Sequence, residues 1–176
     1  MVLGAGRAPL PLEAVEETLS QLRGRFGKEL TLGVAALGPA MCRLAGRIGD
    51  LVFLNWATPQ RIQWSRTKLD EGTRKKPGST EDGEPKPVAA AYVRVAMGEM
   101  AEQLLEGEAE TYAKMPHYRR HFKAMDHRPG IIGLNEQQVA HSLQPYDKVL
   151  DETVIRAVAS PGSLEPFIAL AEACAP

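Results

Sequence analysis

Residues 30–56 read Leu30-Thr31-Leu32-Gly33-Val34-Ala35-Ala36-Leu37-Gly38-Pro39-Ala40-Met41-Cys42-Arg43-Leu44-Ala45-Gly46-Arg47-Ile48-Gly49-Asp50-Leu51-Val52-Phe53-Leu54-Asn55-Trp56. The first apolar run, 30–37, suits a buried strand. Gly38-Pro39 then opens a helix, because Gly can cap and Pro at the first helical position loses no needed hydrogen bond. Met41, Leu44, Ala45 and Ile48 return at spacings of three and four and mark that helix's apolar face. A second apolar run, Leu51 to Trp56, follows, and Thr58-Pro59 caps and opens another helix with Ile62 and Leu69 inward.

The same order recurs on both sides. Upstream, Val2-Leu3-Gly4-Ala5-Gly6 leads through Pro9 and Pro11 into a helix over 12–23, with Leu12, Val15, Leu19 and Leu22 on one face. Downstream, residues 88–97 are continuously apolar apart from Arg94, as suits a strand covered on both faces. A helix over 100–113 follows, resuming over 118–125 beyond Pro116. The stretch 127–133, with Pro129, Gly130 and Gly133, reads as a turn before a short helix over 136–143. A last strand over 154–159 and a last helix over 163–174 complete about five βα units, which predict parallel strands joined by right-handed crossovers. Between them, 72–87 is rich in charge, Pro and Gly and reads as an exposed loop.

The bulk properties fit one ordinary globular domain over 1–176, with 44% hydrophobic residues, 24% charged residues and a formal net charge of -1. Nothing in that balance points to nucleic acid or an anionic membrane. The apolar runs are too short to span a bilayer, and the N-terminus lacks a signal-peptide core. Cys42 and Cys174 form neither a CxxC motif nor a Cys/His cluster, which fits a reducing, cytoplasmic setting. A small molecule is the expected partner.

Gly38-Pro39-Ala40-Met41 carries the main chemical signal. It lies where a parallel strand ends and a helix begins, so the amides of Ala40, Met41 and Cys42 and the positive end of the helix dipole face outward, where a phosphate is stabilised. Ala35, Ala36 and Gly38 are small enough for a ligand to approach the backbone. On the residues alone, a Gly-Pro helix start is more often plain structural punctuation. Gly4 and Gly6 form a second glycine-rich strand end. It is not a dinucleotide fingerprint, since the third glycine of GxGxxG is missing. Arg7 there is either an anion partner or a solvated loop residue. Asn55 and Trp56 end the third strand, where they contact a flat ring or, for Trp56, fill the core. His117 and His121 are four apart, but without an HExxH motif and beside Arg119, Arg120 and Lys123 they read as a solvated cationic face rather than metal ligands. No metal site and no catalytic residue are assigned.

The run 35–56 resembles a segment of the bacterial luciferase-like monooxygenase superfamily, most strongly its branch that uses the deazaflavin coenzyme. There a small-residue Gly-Pro turn leads into a Leu-Ala-Gly helix and a strand ending Leu-Asn-Trp. Thr58-Pro59, the strand from Val88 to Ala96, Tyr112 and Tyr118-Arg119-Arg120-His121-Phe122 are family-like as well. So is Leu3-Gly4-Ala5-Gly6-Arg7, which resembles strand-end glycines in mid-barrel. Gly49-Asp50-Leu51 departs from the family's usual Ala-Asp-Gly, and the loop over 72–87 is longer than its pattern leads one to expect.

The resemblance implies the C-terminal portion, about five of eight units, of a (β/α)8 TIM-type barrel. A whole barrel takes about 250 residues. It also implies an oxidoreductase that uses deazaflavin coenzyme or FMN for hydride transfer or oxygen activation. The cofactor's phosphate would lie at Ala36, Leu37, Gly38, Pro39, Ala40 and Met41, with Asn55, Trp56, Gly4 and Gly6 at the same edge. The family's N-terminal strands, which carry its usual acid-base groups, have no counterpart here, so the active site is not expected to be complete in this chain alone. Exposed strand edges call for a covering segment, so a homo-oligomer or association with the missing strands is expected. The alternative is a non-catalytic half-barrel that binds a flavin-type cofactor or persists as a dimerising remnant.

Overall fold

The computed structural model describes all residues except 5, 7, 8, 75–85, 126–128, 160–163 and 176. It divides into two compact units: Met1–Asn55 with Ile62–Ala90, and Trp56–Arg61 with Ala91–Pro176.

The first unit contains β1 (Val2–Leu3), α1 (Pro11–Phe26), β2 (Gly33–Ala36), α2 (Pro39–Ile48), β3 (Leu51–Asn55) and most of α3 (Pro59–Thr73). Its strands are parallel in the order β1-β2-β3, with Val2 level with Gly33 and Gly33 with Leu51, through to Ala36 with Leu54. Alternation decides the faces. Val34, Ala36, Val52 and Leu54 are fully buried, while Ala35, Leu51, Phe53 and Asn55 are only half-buried. The helix α2 packs on β2 and β3, and Cys42, Leu44 and Ala45 fill its inner side.

The strand over 30–37 expected from sequence is shorter in the structure, because its first residues are engaged elsewhere. The Leu30 carbonyl accepts from Arg23 at 3.2 Å, and the Leu32 amide donates to the Asp50 carboxylate at 2.8 Å. Asp50 also pairs with Arg23 at 2.5 Å, and its carbonyl accepts from Val88, so one side chain and its own backbone tie α1, β2 and the start of β4 together.

The helices α2 and α3 meet through glycines. A Cβ on Gly46 would stand 2.1 Å from the Leu69 carbonyl oxygen, and one on Gly72 would stand 2.1 Å from that of Arg43. Arg43 then pairs with Glu71 at 2.7 Å, and Lys68 pairs with the same carboxylate. Gly72 and Thr73, expected at the head of the exposed loop, still belong to α3, and residues 75–85 of that loop lie outside the described residues.

The second unit takes most of β4 (Val88–Met97), then α4 (Ala101–Ala113), α5 (Pro116–Lys123), β5 (Ile131–Gly133), α6 (Glu136–Asp147), β6 (Glu152–Ala157) and α7 (Glu165–Ala173). β5 runs parallel to β4 with Val95 level with Ile131, and β6 also pairs with β4. Two expectations fail here. The turn over 127–133 contains a strand, since Ile131 and Ile132 between two glycines are enough for three residues of pairing; His127 lies outside the described residues. The helix expected to stop at Leu143 runs through Pro145 to Asp147, held by buried Val139, Leu143 and Tyr146. Six strands, each followed by helix, are therefore described rather than about five.

Candidate functional site

In the first unit, parallel pairing brings the carboxyl ends of β1, β2 and β3 to one edge of the sheet. Gly4 and Gly6 follow β1, residues 36–41 end β2 and start α2, and Asn55 ends β3. Gly4 lies beside β2, where a Cβ on it would meet the Ala35 methyl at 3.5 Å. Gly6 takes a φ of 54°, which favours glycine, and is exposed. Arg7 lies outside the described residues.

Gly38 caps α2 with an extended backbone (φ -104°, ψ 166°), Pro39 opens the helix, and no side chain caps it. The first intrahelical bond, Cys42 amide to Gly38 carbonyl, is 3.1 Å long. The Cys42 amide is thus used inside the helix, and the sequence-based expectation that it faces outward is corrected. Ala40 and Met41 remain as the amides with no acceptor inside the helix. Pro39 and Ala40 are exposed, no acidic residue sits in the first turn, and a Cβ on Gly38 would meet nothing within 4 Å. By contrast α1, α4, α6 and α7 each carry a glutamate in the first turn. The α2 start is accordingly open, uncapped and free of local negative charge, the electrostatic condition for holding an anion.

Trp56 takes the core alternative. It is 1% exposed in the second unit and packs with Ala96, Ala101, Leu105, Ala109 and Val158. Its φ of 50° is rare for a bulky residue and turns the chain out of the strand conformation. The surroundings hold that conformation. The His121 Nε2–H donates to the Trp56 carbonyl at 2.6 Å, which fixes the tautomer, and the Tyr112 and Phe122 rings meet the indole edge-on at 5.4 and 5.6 Å.

Above the indole, 3.8 Å from its centroid, lies the guanidinium of Arg94, which is 2% exposed. Glu108 accepts from Arg94 and from Arg156, each at 3.0 Å. His121, expected on a solvated face, is in fact 5% exposed; His117 is exposed. The signal for this cluster was Arg94, the one charge in an apolar strand, together with the aromatic neighbours of His121.

Burial of the Tyr146 phenol, against a backbone hydrogen bond from Gly130, pushes its pKa up to about 12. Among the described residues no three His, Cys, Asp or Glu side chains gather as a metal site. No described helix is long and apolar enough to cross a membrane.

Comparison with known proteins agrees with this architecture. Among solved structures the chain is similar to an F420-dependent secondary alcohol dehydrogenase in complex with an F420-acetone adduct, at 15% identity and a TM-score of 0.60, covering 84% of this chain and 50% of that one. It is also similar to the coenzyme F420-dependent tetrahydromethanopterin reductase from Methanopyrus kandleri, at 16% identity and a TM-score of 0.50, covering 82% and 49%. The chain therefore spans about half the length of these structures and shares their parallel β/α architecture, that of luciferase-like TIM-barrel proteins. No curated protein sequence matches it. The luciferase-like monooxygenase family matches residues 16–165, and the chain belongs to that family.

Proposed function

We propose that this chain supplies the cofactor-phosphate-binding part of a flavin- or deazaflavin-dependent oxidoreductase. The observation that carries the reading is the α2 start, where two outward amides, no cap, no acid and open space over Gly38 occur at the carboxyl edge of a parallel sheet. Family membership supports an oxidoreductase, and the F420 dependence of the two similar structures favours the deazaflavin coenzyme over FMN.

In this reading the Ala40 and Met41 amides hold the phosphate, Ala36 and Leu37 line its approach, and Gly38 leaves room for it. Gly4, Gly6 and Asn55 border the same edge. When bound, the cofactor's ring supplies the hydride or oxygen chemistry, and the protein contributes position and electrostatics. Trp56 enters as a core residue that fixes the backbone after Asn55.

The test is direct titration of the full chain with deazaflavin coenzyme and, separately, FMN, followed by ligand fluorescence. Saturable binding that weakens about tenfold or more in Gly38→Val supports the cradle, since the valine fills the space a phosphate would use. Absence of binding by either cofactor at near-millimolar concentration overturns the reading. Binding of equal strength in Gly38→Val moves the phosphate away from α2.

A further inference from the structure

Within the second unit, α6, β6 and α7 enclose a cleft of about 250 Å³. Ala140, Leu143 and Asp147 reach it from one face of α6, at spacings of three and four. Thr153 and Ile155 reach it from alternate positions of β6, and Ala173 and Cys174 from the end of α7. The floor is apolar: Leu143 and Ala173 are buried and Ile155 is half-buried, while Ala140 forms an exposed wall. A cavity of about 150 Å³ already admits benzene, so there is room here for one ring with a short substituent.

The mouth of the cleft is negative. Asp147 is exposed in the last turn of α6, where the helix dipole disfavours an anion, so the carboxylate works against its own helix. Among the described residues it makes no ion pair, and its one hydrogen bond is a long one from the Thr153 hydroxyl, 3.4 Å. Both helices end at the cleft, and neither has a basic residue in its last turn to meet the negative end of its dipole. Lys148, the next residue after α6, is exposed and does not line the cleft. Burial pushes the Cys174 thiol pKa up, which keeps that wall neutral. An apolar floor is thus joined to a carboxylate and two helix ends of the same sign, a combination that attracts a cation.

We propose that this cleft binds a small primary amine, with its ammonium at Asp147 beside the ends of α6 and α7 and its apolar body against Leu143, Ile155 and Ala173. An ammonium offers three donors, which suit the Asp147 carboxylate, the Thr153 hydroxyl oxygen and the carbonyls left over at a helix end. A carboxylate or phosphate of the same size is repelled by the same groups. The site belongs to the second unit alone and is independent of the cofactor cradle in the first.

Amide NMR titration of the full chain with benzylamine at about pH 7, where the amine is protonated, tests it. Saturable shifts at Leu143, Thr153 and Ile155 with a dissociation constant of about 1 mM are expected, in line with the affinity a ligand of this size reaches. Benzyl alcohol, the neutral molecule of the same shape, is expected to bind about fivefold more weakly, and Asp147→Asn to remove that difference. Ala140→Trp, on the exposed wall, fills the cleft and is expected to abolish binding of both; Thr153→Tyr at the rim stands in if that variant does not fold. A second readout is Cys174 itself: Cys42 is fully buried, so a thiol-specific methanethiosulfonate reports on Cys174, and saturating benzylamine is expected to slow its reaction at least about twofold. Absence of saturable shifts up to about 20 mM, equal binding of amine and alcohol by the wild type, or binding unchanged in the filled variants overturns the proposal.

Discussion

Gly46 packs on the backbone of Leu69 and Gly72 on the backbone of Arg43: α2 and α3 approach so closely that a methyl on either glycine would overlap a carbonyl oxygen of the other helix at 2.1 Å. Neither helix can yield alone, since Arg43 and Glu71 join them beside the contact. Gly46→Ala and Gly72→Ala are each expected to destabilise the fold by about 3 kcal/mol or more, at the upper end of overpacking costs. Gly107→Ala, at an exposed mid-helix position with nothing within 4 Å, is expected to stabilise by about 0.5–1 kcal/mol. Urea midpoints of the three variants check the contrast.

Arg94 stands on the Trp56 indole and pairs with Glu108. Removing the Glu108 charge weakens the compensation of a buried cation, so Glu108→Gln is expected to cost about 2 kcal/mol or more. The double variant Arg94→Met, Glu108→Met removes both charges and is expected to recover much of that loss. A thermal denaturation cycle over wild type, Arg94→Met, Glu108→Met and the double variant reads the coupling directly.

Lys68 and then Arg43 hydrogen-bond Glu71 and hold its carboxyl pKa down, from 4.5 to about 2. Because the folded value is depressed, this contribution is complete above pH 4.5 and is lost as pH falls from there towards 2. Acid unfolding of wild type against Glu71→Gln checks it. The difference between them is expected to shrink steadily across that window.

Tyr146 behaves in the opposite sense. Burial favours its neutral phenol, so its contribution to stability is complete below pH 10 and declines as pH rises towards 12. The amount at stake is about 2–3 kcal/mol. Tyr146→Phe is expected to flatten this part of the alkaline stability profile, and denaturant midpoints between pH 9 and 12 (roughly the span of both pKa values) measure it.

The βα order was legible because strand and helix periods are local, and because Pro39 and Pro59 mark helix starts that the structure keeps, whereas the helix expected over 118–125 begins at Pro116. What was missed depended on contacts distant in sequence. Leu30 to Leu32 look like strand until Arg23 and Asp50 occupy their polar groups. Ile131 to Gly133 look like a turn until β4 offers a ladder. The helix over 136–143 looks short until Tyr146, three residues on, finds a buried place.

The candidate site was legible to the same extent. Gly38-Pro39 announces an open helix start, but only the Cys42 hydrogen bond shows which amides remain outward. For Trp56 the sequence left ring contact and core both open, for His121 it pointed to solvent, and both side chains are buried.

Within the second unit the run from Trp56 to Arg61 is held at successive points. Trp56 bends it at a φ of 50°, His121 latches the carbonyl at the bend, and Thr58 receives the Arg61 amide at 3.2 Å to start the next helix. A residue inserted between Trp56 and Arg61 shifts either the Trp56 carbonyl from His121 or the Thr58 cap from the Arg61 amide. Length variation in this short run is therefore expected to cost stability through those two hydrogen bonds.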